Sequence, residues 1–114
     1  MQQEQAAAAL GRGLCTLAVL EGDTPVGMGR LIGDGLYDTI VDVVVRPEYQ
    51  GQGIGRAIIG RLLAFAEKEM PPGGRVSVSL IAEKGKEPFY EKLGFRKIPH
   101  EHCGSGMRKV LHRA

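Results

Sequence analysis

No stretch of this 114-residue chain approaches the ~20 consecutive apolar residues that a membrane-spanning helix requires. A surplus of one charge sign is missing too: 15 Lys+Arg stand against 13 Asp+Glu, a formal net charge of +2. That balance does not mark a nucleic-acid binder, though it suits an anionic ligand where the cations are local. The segment 1–13 has an alanine run but no basic region followed by a long apolar core, so no secretory signal is read there. Cysteine is scarce. Cys15 and Cys103 lie far apart and read as two reduced thiols of a cytoplasmic protein. No internal repeat and no linker is visible. What is present is an ordinary globular composition, 43% hydrophobic and 25% charged. A chain of this length makes one domain that buries roughly two-thirds of its unfolded surface. It is read as a short helical remnant over 1–13 followed by a single domain over 14–114.

Local patterns give the element order. Residues 2–10 favour helix, with Gly11 and Gly13 expected to end it. Leu14–Leu20 and Val26–Ile32 read as a hairpin around the turn cluster Glu21-Gly22-Asp23-Thr24-Pro25. After a turn at Gly33-Asp34-Gly35, Thr39–Arg46 is a β-branched run dense enough to predict burial on both faces. A long helix to Met70 follows, with Ile54, Ile58, Leu62 and Phe65 on one face and Ile59, Leu63 and Ala66 beside them. Pro71-Pro72-Gly73-Gly74 stops it. Val76–Ala82 reads as a strand, and Glu87–Leu93 as a short helix closed by a left-handed Gly94. Arg96–Ile98 and Met107–Leu111 are expected as a last pair of strands around the loop Pro99–Gly106. The class is α+β (or α/β), with helices covering a mixed, mostly antiparallel sheet.

The most informative stretch joins the best strand to the long helix through Gln50-Gly51-Gln52-Gly53-Ile54-Gly55-Arg56. Glycines let a ligand approach the backbone, and the first turn of a helix offers unpaired N–H groups with a partial positive charge. Together they predict an anion site, most often for phosphate, with Arg56 in reach to add a charge-assisted contact. A dinucleotide loop needs G-x-G-x-x-G. Counting from Gly51 the last position is Arg56, and counting from Gly53 it is Ile58, so both fail. No P-loop run exists. The spacing that fits is Gln/Arg-x-x-Gly-x-Gly/Ala, filled by Gln50, Gly53 and Gly55. This spacing, after a β-branched strand and Arg46-Pro47, resembles the pyrophosphate-binding signature of the GNAT acetyltransferases. A second segment, Phe89-Tyr90-Glu91-Lys92-Leu93-Gly94-Phe95, resembles the Phe-Tyr-x-x-x-Gly-Phe stretch common in that family. The resemblance covers about residues 14–111.

The resemblance implies an acyl-CoA N-acyltransferase fold and transfer of the acetyl group of acetyl-CoA, as co-substrate, directly to a primary amine. The central strand would splay from its neighbour and leave backbone at Val43, Val44 and Val45 for the pantetheine arm. One N–H there would polarise the thioester carbonyl. The main chain over Gln50, Gly51, Gln52, Gly53, Ile54, Gly55 and Arg56 would hold the pyrophosphate. Tyr90 would protonate the leaving thiolate. Phe89, Leu93 and Phe95 read as core. Asp42 either takes a proton through water or attracts a cationic amine, or it simply bridges to Arg46 or another neighbour. Asp34 and Glu83 are further acidic candidates for a cationic substrate. No Cys-His-Asp setting suggests a covalent intermediate. His100, His102 and Cys103 look like metal ligands only superficially, because no second cluster completes a zinc pattern, and a solvated or substrate-facing loop is the reading taken.

GNAT folds begin with a strand and one or two helices before this hairpin, and only about 13 residues precede Leu14. The first strand is therefore expected to be missing, leaving one sheet edge uncovered and one wall of the acceptor pocket in question. Either a homodimer completes the site, or the pocket is unusually open, or the chain is a compromised fragment; the partners expected are a second copy and a small-molecule or peptide amine, without nucleic acid or membrane. The competing function is a non-catalytic acyl-CoA-binding or regulatory module with an incomplete acceptor site.

Overall fold

A computed structural model describes residues 3–113; Met1, Gln2 and Ala114 lie outside the described residues, so the helix read over 2–10 is described only from Gln3. The chain divides into two compact units, Met1–Ile81 and Ala82–Ala114.

In the first unit, Gln, Glu and Ala build α1 (Gln3–Arg12), with Glu4 in its first turn and Arg12 in its last, each complementing the helix dipole. Gly11 does not end the helix. It lies inside, exposed and with open space around it, and the break comes at Gly13. α1 buries no residue and is too short to be stable alone. It is tied down by the Arg30 guanidinium, whose Nη2 donates to the Ala9 carbonyl at 3.2 Å.

The sheet has four strands in the order β1 (Cys15–Glu21), β2 (Thr24–Gly33), β3 (Tyr37–Val45) and β4 (Ser77–Ser79). β1, β2 and β3 pair antiparallel, and β3 pairs with β4 in parallel. The expected hairpin and the mixed, mostly antiparallel sheet are both present. Asp34 shapes the turn between β2 and β3. Its Oδ1 accepts the amides of Leu36 and Tyr37, each at 2.9 Å, so it is a turn residue. The strand expected over Val76–Ala82 shrinks to three residues, because only Ser77–Ser79 find partners on β3.

α2 (Ile54–Glu69) lies on this sheet and buries Ile58, Ile59, Leu62 and Ala66, while Ile54, Leu63 and Phe65 are half-buried. Val26, Leu31 and Ile40 of the sheet are buried as well. A fully buried Ile or Leu contributes about 1.5–3 kcal/mol, so this seam is the main stabilising contact of the unit. Glycine on β2 sets how close the helix comes: a Cβ at Gly29 would stand 2.5 Å from Ile58 Cγ2.

The expected burial of both faces of β3 is not found. The reason is a bulge. Arg30 pairs with Val41 and Met28 with Val44, so Asp42 and Val43 together oppose the single Gly29. Before the bulge, Asp38 and Ile40 point inward. After it, Val43 and Val45 do, and Val44 is 57% exposed. A shift of phase, not two buried faces, makes the run Ile-Val-Asp-Val-Val-Val look continuous. Asp42 carries the shift in a left-handed conformation, φ 55, which Asp tolerates better than most residues.

The second unit holds α3 (Glu87–Glu91). The following turn closes on Gly94 at φ 95: Gly94 N–H donates to Glu91 C=O and Phe95 N–H to Tyr90 C=O. This is the Schellman arrangement that a glycine stop predicts. The final pair of strands at Arg96–Ile98 and Met107–Leu111 does not form. Only an isolated bridge, His100 with Cys103, occurs there. Met107, Val110 and Leu111 are 94%, 62% and 82% exposed, and no strand among the described residues lies beside them. β-propensity without a partner leaves extended chain.

Candidate active site

β3 leads into a short 3-10 turn, Pro47–Tyr49, and then the glycine loop. Several bonds fix this passage. Arg46 N–H donates to Val26 C=O at 2.9 Å, and Tyr49 N–H to Arg46 C=O at 2.9 Å. Gln50 turns its side chain back and donates from Nε2 to Val45 C=O at 2.9 Å. The Tyr49 phenol is hydrogen-bonded to the Glu21 carboxylate at the end of β1, which pushes its pKa above the usual range. Gln50 thus acts as a brace between strand and loop.

Gly51 and Gly53 stand at φ 79 and 85, a region closed to most residues. Both face open space. Gly53 is the N-cap of α2, and no side chain caps the helix. The first bond of the helix runs from Ala57 N–H to Gly53 C=O at 3.0 Å. The amides of Ile54, Gly55 and Arg56 therefore lack intrahelical partners, and no acidic side chain occupies the first turn to neutralise them. Ile54 differs from the other loop residues in that its side chain packs over Gly27 of β2, so only its main chain is available. The Arg56 side chain is exposed. This arrangement can hold a diphosphate.

Beside the loop, β3 is half paired. β4 accompanies it only over Tyr37–Thr39, so past Thr39 the edge of β3 away from β2 has no ladder partner among the described residues. Val43, Val44 and Val45 lie on that stretch, directly before the loop. The first unit thus brings together all the residues expected to hold the cofactor.

Asp42 is held by a neighbour other than Arg46. Its Oδ2 accepts Arg30 Nη1 at 2.9 Å, with the arginine side chain 12% exposed and the aspartate 51% exposed. Arg30 was not singled out in the sequence. A lone cation inside the apolar strand Val-Gly-Met-Gly-Arg-Leu-Ile was the available signal.

In the second unit, Tyr90 lies on α3 with its ring edge-on to Phe89 and Phe95, at centroid distances of 5.0 and 5.9 Å. Phe89, Leu93 and Phe95 are half-buried, less enclosed than core residues would be. Burial, and then the nearby Glu83 charge, push the Tyr90 phenol above its usual pKa. Tyr90 therefore keeps its proton at neutral pH, as an acid must. His100 Nδ1 accepts the His102 amide at 3.2 Å within a local turn. Among the described residues, no group of three His, Cys, Asp or Glu side chains is placed to hold a metal ion.

A family model for an acetyltransferase (GNAT) domain matches residues 1–112. The chain belongs to the GNAT acetyltransferase family. Its relatives include serotonin N-acetyltransferase 2, chloroplastic, from Oryza sativa subsp. japonica, 41% identical over 76 residues, which are 66% of this chain and 36% of that protein. Glucosamine 6-phosphate N-acetyltransferase from Trypanosoma brucei brucei is 41% identical over 68 residues, 60% of this chain and 40% of that one. The chain thus spans little more than a third of the length of these curated relatives. Among solved structures, a GNAT family acetyltransferase from Streptococcus pneumoniae superposes with a TM-score of 0.81 at 30% identity, covering 98% of this chain and 82% of that one. A Trypanosoma brucei acetyltransferase gives 0.73 at 30% identity, covering 95% and 76%. The GNAT acyltransferase fold expected from the two motifs is the fold observed.

Proposed function

We propose that this GNAT chain transfers the acetyl group of acetyl-CoA to a primary amine. The observation that carries the reading is the uncapped start of α2, shaped by Gly51 and Gly53 and following directly on the half-paired β3. The main chain from Gln50 to Arg56 takes the diphosphate. The free edge at Val43, Val44 and Val45 takes the pantetheine arm as an added strand, and one of its N–H groups polarises the thioester carbonyl. The amine nitrogen attacks the carbonyl carbon. An N–C bond forms as the C–S bond breaks, the nitrogen loses a proton to water, and the thiolate takes a proton from Tyr90. Tyr90 is given this role by the resemblance of Phe89–Phe95 to the family's Phe-Tyr-x-x-x-Gly-Phe stretch. Asp42, half exposed at the bulge, contacts the acceptor. The names of the relatives span serotonin and glucosamine 6-phosphate, so the acceptor is proposed only as a primary amine.

The second reading, a non-catalytic acyl-CoA-binding module, draws support from one observation: the Asp42 charge is already met by Arg30. Acetyl-CoA at a hundred times its Kd should stabilise the fold by about 2.7 kcal/mol in either reading, and no thermal shift at all would overturn both. Release of free thiol on adding amines separates the two. No helix among the described residues is long and apolar enough to cross a membrane. With Cys15 and Cys103 both free, a reducing compartment such as the cytoplasm is the proposed location. A second copy completing the acceptor wall belongs to the same reading, since β1 pairs only with β2 among the described residues; a clean monomer by light scattering removes it.

A further inference from the structure

Arg30 stands at the junction of three elements. Its backbone is in β2, its Nη1 holds Asp42 on the β3 bulge at 2.9 Å, and its Nη2 holds the Ala9 carbonyl of α1 at 3.2 Å. Leu31 and Gly29 face α2, so the intervening Arg30 points to the opposite sheet face, where the end of α1 lies. As a stabilising device this is a poor arrangement. The side chain is only 12% exposed, its ion-pair partner is half in water, and its buried Nε has no acceptor among the described residues. A guanidinium desolvated for one half-exposed carboxylate recovers little net stability. An orphaned buried donor costs more still. What the arrangement does achieve is definition. Asp42 sits in a strained left-handed conformation, which persists only where its surroundings over-determine it. The guanidinium engages Oδ2 alone. No hydrogen bond to Oδ1 occurs among the described residues, and half of the side chain is open to solvent.

We infer that Arg30 is a positioning residue of the acceptor side: it pins the bulge carboxylate by one oxygen so that the other, Asp42 Oδ1, is presented to the incoming primary amine beside the end of α1. The inference rests on the transferase reading above and adds to it a residue that touches neither substrate. Arginine suits the task because its planar fork reaches two acceptors on two elements at once. Lysine, a single flexible point charge, can keep the Asp42 contact but not both.

The test is steady-state kinetics with acetyl-CoA and two probe amines, tryptamine and spermidine, on Arg30→Met, Arg30→Lys, Asp42→Asn and the double variant Arg30→Met/Asp42→Asn. Asparagine tolerates the left-handed backbone, so Asp42→Asn changes charge rather than fold. Arg30→Met should raise the KM for the amine about ten-fold, with kcat and the KM for acetyl-CoA each moving less than about two-fold. Arg30→Lys should recover most of the loss. The double variant should be no worse than Asp42→Asn alone, since Arg30 acts through that carboxylate. An Arg30→Met enzyme with a lowered Tm but an unchanged amine KM would overturn the inference, as would losses that multiply in the double variant. Should Arg30→Met fail to fold, Arg30→Gln and Arg30→Lys carry the same comparison. A parent protein that binds acetyl-CoA yet acetylates neither probe contradicts the transferase reading itself, and that result is distinct from either outcome in the variants.

Discussion

Gly53→Ala adds one methyl group at the N-cap of α2, where φ is 85 and no atom lies within 4 Å of the new Cβ. The cost is therefore backbone strain alone, about 1–2 kcal/mol for a side chain held in the left-handed region. For a domain of this size that lowers Tm by roughly 4–8 °C. If the loop instead relaxes to escape the strain, the amides of Ile54, Gly55 and Arg56 turn from their shared direction. Losing one or two charge-assisted bonds to a diphosphate is worth about 1.5–3 kcal/mol, so affinity for acetyl-CoA should fall ten- to a hundred-fold. Gly60→Ala is the matched control. It adds the same methyl in the middle of the same helix, exposed and again with nothing within 4 Å. There alanine should stabilise by about 0.5–1 kcal/mol and leave binding unchanged. Thermal melts without ligand, followed by calorimetric titration with acetyl-CoA, read both quantities. A Gly53→Ala protein that both melts and binds acetyl-CoA like the parent would refute the reasoning, because the strain of a left-handed N-cap must register either in stability or, once released, in the amides that hold the diphosphate.

Tyr90→Phe should lower kcat about ten-fold or more with little change in the KM for acetyl-CoA, and an unchanged rate in amine acetylation removes Tyr90 from the mechanism. Gly29→Val should destabilise by about 1–3 kcal/mol or more, because even its Cβ meets Ile58 at 2.5 Å; urea melts showing parental stability would contradict the close seating of α2. Stability should fall as pH rises above about 10.0, since burial and then Glu83 make folded Tyr90 hold its proton while the unfolded chain ionises. At the acid end, the amides of Tyr37 and Leu36 hold the Asp34 carboxyl below its usual 3.8. Its contribution is complete above 3.8 and is lost as pH falls through the lowered value. Asp34→Asn should flatten that limb in acid titrations followed by circular dichroism.

The hairpin, the long helix and the glycine loop were legible because each is written in local chemistry. Gly22, the Pro71-Pro72 stop, the 3.6-residue spacing of Ile58 and Leu62, and Gly94 each act within a few positions of themselves. Features set by partners elsewhere were not legible. The β3 bulge is invisible in Ile40–Val45 because β-branched residues fill both phases of the strand. Asp42 could be flagged as acidic and central, but its partner Arg30 lies twelve positions away on another strand. Met107–Leu111 has the composition of a strand, yet pairing is tertiary, and no neighbour among the described residues supplies it.

Amide chemical shifts of the isotope-labelled protein, followed during titration with acetyl-CoA, address the diphosphate site most directly. The largest changes should fall on Gly51, Gly53, Ile54, Gly55 and Arg56, with a second group at Val43, Val44 and Val45. Saturable changes that spare the start of α2, or none at all at millimolar ligand, would contradict it.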